Sequence, residues 1–197
     1  PAGKVKQISP ASSKSARYPL AGKKTPLREI IVPLSAIVDW PTMNLLLDTN
    51  VLIDYLGRKE PFFANAERIV AAGFFGDATL WMAAQSPKDA FYVLERYIDS
   101  QRIQQALLKA YEIITPVALT ADDLATAARL QWDDYEDCLV ALAAQKARAD
   151  YLITRDAKGF ERSMVPALSP NEWLVLRERD GIIYDAVDLP PEEEVGP

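Results

Sequence analysis

Carboxylates are the side chains in this sequence whose number and spacing could do chemistry. The 197 residues include no histidine and one cysteine, Cys138. A Ser-His-Asp triad, a Cys-His pair and a His-ligated zinc are therefore excluded, as are an internal disulfide and any multi-cysteine metal site. What remains is Asp and Glu supported by hydroxyls, amides and amines. If such a set holds a metal, it is a hard cation that prefers oxygen, such as Mg²⁺ or Mn²⁺.

Four acids stand out by position. In "NLLLDTNVLIDYL" a leucine run ends on Asp48, and in "DYLITRD" a second apolar run leads out to Asp156. In open parallel sheets, ligands bind beyond the carboxyl ends of the strands, so these two aspartates would face one crevice. Each could equally be a turn or helix-capping residue. The third group is "WDDYEDCLVALAA", where Asp133, Asp134, Glu136 and Asp137 crowd the start of an apolar helix. Asp134 and Asp137 have the spacing of a capping-box variant. Four carboxylates in five residues also repel one another, which a cation would relieve. Asp89, in "SPKDAFYVLERY", falls in the first turn of its helix, where an acid also suits the helix dipole. Asp48, Asp89, Asp137 and Asp156 thus form a four-carboxylate set drawn from four elements. One or two ions held there would activate water for phosphodiester cleavage without any histidine.

The elements that must position these acids follow from apolar periodicity. Strands are expected at Leu45–Leu47, Ala78–Ala83, Val117–Leu119, Asp150–Thr154 and Val165–Leu168. Helices are expected at Val51–Leu56, from Pro61 to Phe74, from Ser86-Pro87 with Ser86 as N-cap, and at Arg102–Ile114. Further helices are expected at Ala121–Leu130 behind Thr120, at Cys138–Ala149, and from Ser169-Pro170 to about Arg177. Short apolar strands alternating with helices imply a parallel α/β sheet covered on both faces.

Apolar residues at 49% and charged residues at 25% leave room for an ordinary core. The longest early apolar stretch, "IIVPLSAIV", is too short to span a bilayer, and the expectation is a cytoplasmic protein with no membrane contact. The net charge of −6 is unevenly spread: residues 1–42 hold seven Lys/Arg and two acids, leaving the remainder strongly acidic. An acidic body is unusual for a nucleic-acid binder unless bound cations reverse the local sign. Three regions are expected: a basic, irregular extension over 1–42, a domain over 43–178, and an acidic, disordered tail over 179–197. The extension is either an appendage or a basic segment that folds over the acids and inhibits them. "GKKT" at Gly22–Thr25 is not a phosphate loop, because Arg17 stands where that motif needs its first glycine.

Together, "LLLDTNVLIDYL", the mid-chain acid, "DDYEDCLVALAAQKARADYLITRDAKGF" and "VPALSPNEWL" resemble the PIN domain family, in particular its VapC-like toxin branch. The similarity runs from about Met43 to Leu176. It implies a three-layer α/β/α fold around a mostly parallel sheet of about five short strands. It also implies a Mg²⁺- or Mn²⁺-dependent endoribonuclease, commonly dimeric, acting as the toxin of a toxin–antitoxin pair on an RNA such as tRNA or rRNA. Matched by position, the family's metal-binding acids fall on Asp48, Asp89, Asp137 and Asp156, with Asp134 as an auxiliary acid. Asn50 and Thr154 take the places of supporting polar residues. Asp89 stands where the family usually has Glu, one methylene longer, so the shorter side chain implies a different metal geometry there. Arg155 either contacts RNA phosphate or pairs with neighbouring acids, and Asp54 reads as an ion-pairing residue of the first helix. Two rivals stay open: a catalytically silent PIN fold serving as a binding module, and an aspartyl-phosphate phosphotransfer domain. "DTN" lacks the paired Asp expected of the latter.

Overall fold

A computed structural model describes residues 42–184. The expected basic extension and most of the acidic tail lie outside the described residues. The element order is β1 (Met43–Leu47), α1 (Thr49–Leu56), α2 (Phe63–Phe74), β2 (Ala78–Ala83), α3 (Ser86–Leu94), α4 (Ser100–Ala110) and β3 (Ile114–Val117). It continues through α5 (Ala121–Leu130), α6 (Tyr135–Lys146), β4 (Tyr151–Ile153), β5 (Ala167–Leu168) and α7 (Pro170–Arg179). All strand pairings are parallel, in the order β3-β2-β1-β4-β5. The chain thus builds outward from β1 on one side and then returns to β1's other side with β4. The junction of β1 and β4 is the switch point at which an open sheet leaves a crevice.

Strand periodicity assigns the two faces. Leu45 and Leu47 pack with α1, α2 and α7 through Leu52, Ile69 and Trp173. Leu46, between them, packs on the opposite face with Val140 and Ala144 of α6 and with Phe160. All three leucines are at most 1% exposed, so β1 must be apolar on both faces. The unbroken apolar character of α6 has the same cause: Cys138, Leu139, Val140, Ala141, Ala143 and Ala144 are all buried.

Several boundaries differ from the sequence reading for identifiable reasons. The helix expected at Arg102–Ile114 runs from Ser100 to Ala110 because Asp99 caps it, accepting from the amides of Gln101 (2.9 Å) and Arg102 (3.3 Å). Ile114 belongs instead to β3, which includes Pro116; a proline is tolerated there because β3 is an edge strand. The strand expected at Val117–Leu119 therefore lies three residues earlier at its start. Ser86 is not the cap of α3, a position held by Gln85 without a side-chain bond. Its buried hydroxyl accepts from Thr49 Oγ1 at 2.9 Å and ties α3 to α1. Thr120 and Ser169 do cap their helices, each in a reciprocal capping box. The folded chain also passes the boundary expected at 178. Gly181, at φ 83°, turns it back so that Ile182 and Tyr184 are buried, with Tyr184 stacked on Trp173.

Leu46→Ala would leave a cavity against α6 that neighbouring helices cannot close. The expected loss is about 2–5 kcal/mol of unfolding free energy, read from denaturant midpoints.

Candidate active site

Asp48 leaves β1 at the β1/β4 junction and is 4% exposed. Its backbone amide donates to Ile153 O at 2.9 Å, continuing the ladder one residue past the strand. Every oxygen of its carboxylate has a donor. Oδ1 accepts from the Thr49 amide at 2.6 Å, which also makes Asp48 the N-cap of α1. Oδ2 accepts from Thr154 Oγ1 at 2.7 Å and from Asn50 Nδ2. Asn50 also donates to Thr154 Oγ1 (3.1 Å), while its own Oδ1 accepts from the Arg155 amide (3.2 Å). Asn50 and Thr154 thus orient Asp48 and join α1 to the exit of β4. With both oxygens engaged, Asp48 is poorly disposed to act as a nucleophile.

Asp137 and Asp156 converge on the same edge. A methyl group built on Gly159 would stand 2.6 Å from Asp137 Oδ2 and 3.3 Å from Asp156 Oδ2. The absent side chain of Gly159 is the space in which the two carboxylates approach. Asp156 is further set by two local bonds, its amide to Thr154 Oγ1 (2.9 Å) and its Oδ1 from the Gly159 amide (3.3 Å). Asp134 is the N-cap of α6, accepting from the amides of Glu136 (2.8 Å) and Asp137 (3.2 Å). The reciprocal half of the expected capping-box variant does not form, which leaves the Asp137 carboxylate turned towards Gly159.

The electrostatics match this crowding. Burial, reinforced by the charges of Asp137 and Glu136, lifts Asp48 to about 7 despite its hydrogen bonds. Asp137 is raised to about 6 by burial and then by Asp134, Asp156 and Glu136. Glu136 moves upward too, through burial and then the charge of Asp89. Asp89 is the outlier among the sequence candidates. It pairs with Lys88 at 2.8 Å and is coupled to Glu136. The first-helix acid Asp54 is buried and paired with Arg155, Nε to Oδ2 at 2.7 Å.

Sequence reasoning passed over two residues. Glu136 was seen as part of the acid run but not as the link between Asp48 and Asp89 that the fold makes it. Gly159 was not singled out; its signal was a glycine three residues past the strand-end Asp156, where a turn must bring backbone close to side chains.

A hard divalent cation fits the chemistry of this donor set, which is all oxygen and carries mutually repelling charge. Among the described residues, no three His, Cys, Asp or Glu side chains form a ready cage.

A doubly covered parallel sheet with acids gathered at its switch point defines the class of protein. Residues 44–158 match the PIN domain family, and the chain belongs to it. Among solved structures, VapBC-1 from nontypeable Haemophilus influenzae shares the fold, with a TM-score of 0.51 at 20% identity. That match covers 66% of this chain and 99% of the other. VapBC2 from Rickettsia felis, bound to a DNA fragment from its promoter, matches at 15% identity and TM-score 0.47, covering 64% and 98% of the two chains. A toxin–antitoxin complex from Klebsiella pneumoniae matches at 23% identity and TM-score 0.46, covering 64% and 97%. No curated protein matches the sequence.

Two outcomes are expected. Asp48 and Asp137 bind their protons more tightly folded than unfolded, so their contribution favours the native state at low pH. It is lost as pH rises from about 4 through about 7. In chelator, the wild type should lose on the order of 2 kcal/mol more stability between pH 5 and 8 than Asp48→Asn, measured by denaturant titration. Added Mn²⁺ should recover part of the difference at pH 8. Gly159→Ala should push the Asp137 carboxylate aside, weakening Mn²⁺ binding about tenfold in calorimetric titration while changing stability by about 1 kcal/mol or less.

Proposed function

We propose that this chain is a metal-dependent endoribonuclease. The observation that carries the reading is the approach of Asp137 and Asp156 across Gly159, beside the anchored Asp48. Asp48, Asp137 and Asp156 would hold Mg²⁺ or Mn²⁺, with Asp134 and Glu136 adding negative potential. A bound cation supplies the positive charge that acidifies water and offsets the charge of the leaving oxygen.

The chain's own part is positional. Thr154 and Asn50 hold Asp48 in one orientation, so the cation's place is set before substrate arrives. Asp137, facing Asp156 at Gly159, would orient the attacking water beside the ion. Asp156, exposed beyond the exit of β4, would help hold the ion. Asp89 contributes through Glu136 and supports this reading least.

The toxin role, an antitoxin partner, a homodimer and a tRNA or rRNA target rest on resemblance to VapC-like chains. The shared fold with VapBC-1 accords with them. The domain limits we favour are a PIN domain from Met43 to at least Tyr184, preceded by the basic extension. A second reading, a silent PIN fold that binds without cutting, draws on the Asp89–Lys88 pair and on the lack of a ready cage among the described residues.

With Mn²⁺, the full chain should cut a total RNA and tRNA pool, and Asp156→Asn should lower the rate at least about 100-fold with its fold intact by circular dichroism. Folded protein that binds RNA and cuts none would establish the silent reading instead.

A further inference from the structure

Arg155 sits between Thr154, which anchors Asp48, and Asp156, yet its guanidinium is not consumed by the acids of the crevice. It is held from behind. Its Nε bonds Asp54 Oδ2 at 2.7 Å, and Asp54 is 1% exposed. Its planar head lies 4.3 Å from the centre of the Phe62 ring, and its backbone amide is fixed by Asn50 Oδ1. The side chain remains 29% exposed, and its two terminal amino groups have no bond to any described residue. A guanidinium clamped through Nε on one side and stacked on a ring keeps its outer fork for a ligand. The ligand that fork matches is a phosphate or carboxylate.

The surroundings favour phosphate on a flexible strand. The loop after α1 carries Arg58 and Lys59. Lys59, like Arg155, acts electrostatically on Asp54, and the Arg58 head lies 5.6 Å from the Phe63 ring. Cations interleaved with rings between Arg58 and Phe63, on an otherwise acidic body, are the side chains that a backbone track for unpaired nucleic acid requires. Resting on the ribonuclease reading above, we propose that Arg155, positioned by Asp54 and Phe62 and extended by Arg58 and Lys59, grips the backbone of single-stranded RNA. It would do so immediately beside the cutting site. Asp54 and Phe62 are positioning residues in this arrangement, acting through Arg155.

The test measures binding of a labelled twelve-residue oligouridylate by fluorescence anisotropy from 50 to 200 mM KCl, with Ca²⁺ present to avoid cleavage. Mn²⁺ cleavage is assayed in parallel. Arg155→Lys keeps the charge and loses the fork, and its Kd should rise about tenfold. Asp54→Asn keeps Arg155 but loosens its clamp, and should also weaken binding severalfold, which a purely structural ion pair would not do in a protein that melts normally. Arg58→Gln with Lys59→Gln, on the exposed loop, should lower the salt slope by about 1. If either clamp variant fails to fold, the loop pair and Phe62→Leu carry the measurement. Wild-type Kd and salt slope in the folded variants, with cleavage by the wild type intact, would overturn the track alone. Tighter binding of a duplex of equal length would also overturn it. A wild type that neither binds nor cuts RNA would take the ribonuclease reading down with it.

Discussion

The parallel pairing of β1 with β4 is the constraint on which the rest depends. It sets Leu47 opposite Ile153, so the next residues of each strand, Asp48 and Thr154, meet beyond the ladder with a 2.7 Å hydrogen bond. Strand side chains alternate faces, so a slip of one residue would part the carboxylate from its donor and turn Leu46 out of its core. The chain commits heavily to this register. Leucines at 0–1% exposure fill both faces of β1, and the Asp48 amide extends the pairing to Ile153 O. A buried carboxylate is costly, and the hydrogen bonds from Thr154 and Thr49 offset only part of that cost, which is why Asp48 still rests near 7.

Around that anchor the fold concentrates negative charge that it could have dispersed. Asp134 satisfies the start of α6 alone, accepting from two amides, so Asp137 is not needed as a cap. Gly159 then lets Asp137 and Asp156 approach, where the charge of Asp156 helps raise Asp137. Such a site lowers native stability at neutral pH and would be relieved by a cation, a common exchange of stability for function. The nearby cations are engaged by other acids: Lys88 pairs with Asp89, and Arg155 pairs with the buried Asp54.

Much of the arrangement was legible in the residues. Asp48 and Asp156 could be found because each follows a short apolar run that reads as a buried strand, and α6 because its apolar run has no polar face. Thr120 and Ser169 announced their helices, since a hydroxyl followed three residues later by an acid has a local use. The start of β3 lies ahead of Pro116, which an edge strand tolerates, and edge position is decided by strand order. Ser86 misled: its spacing to Pro87 suits a cap, yet its hydroxyl meets Thr49, 37 residues away in sequence.

By itself the sequence determined the inventory and the local geometry. It excluded histidine and multi-cysteine chemistry, placed acids at strand ends and a helix start, and set the order of strands and helices. Those properties depend on residue type and near neighbours, which periodicity and capping report. Only the tertiary structure decided which acids share a space. Asp137 and Asp156 meet because α6 and the β4 exit pack on adjoining parts of one sheet, with no side chain at residue 159 between them. Asp89 stands off beside Lys88 and couples to the acids at Glu136, a relation that follows from the seating of α3 and α6. Charge repulsion, burial and pairing act through distance in space, and distances between residues far apart in sequence exist only once the sheet has closed its register.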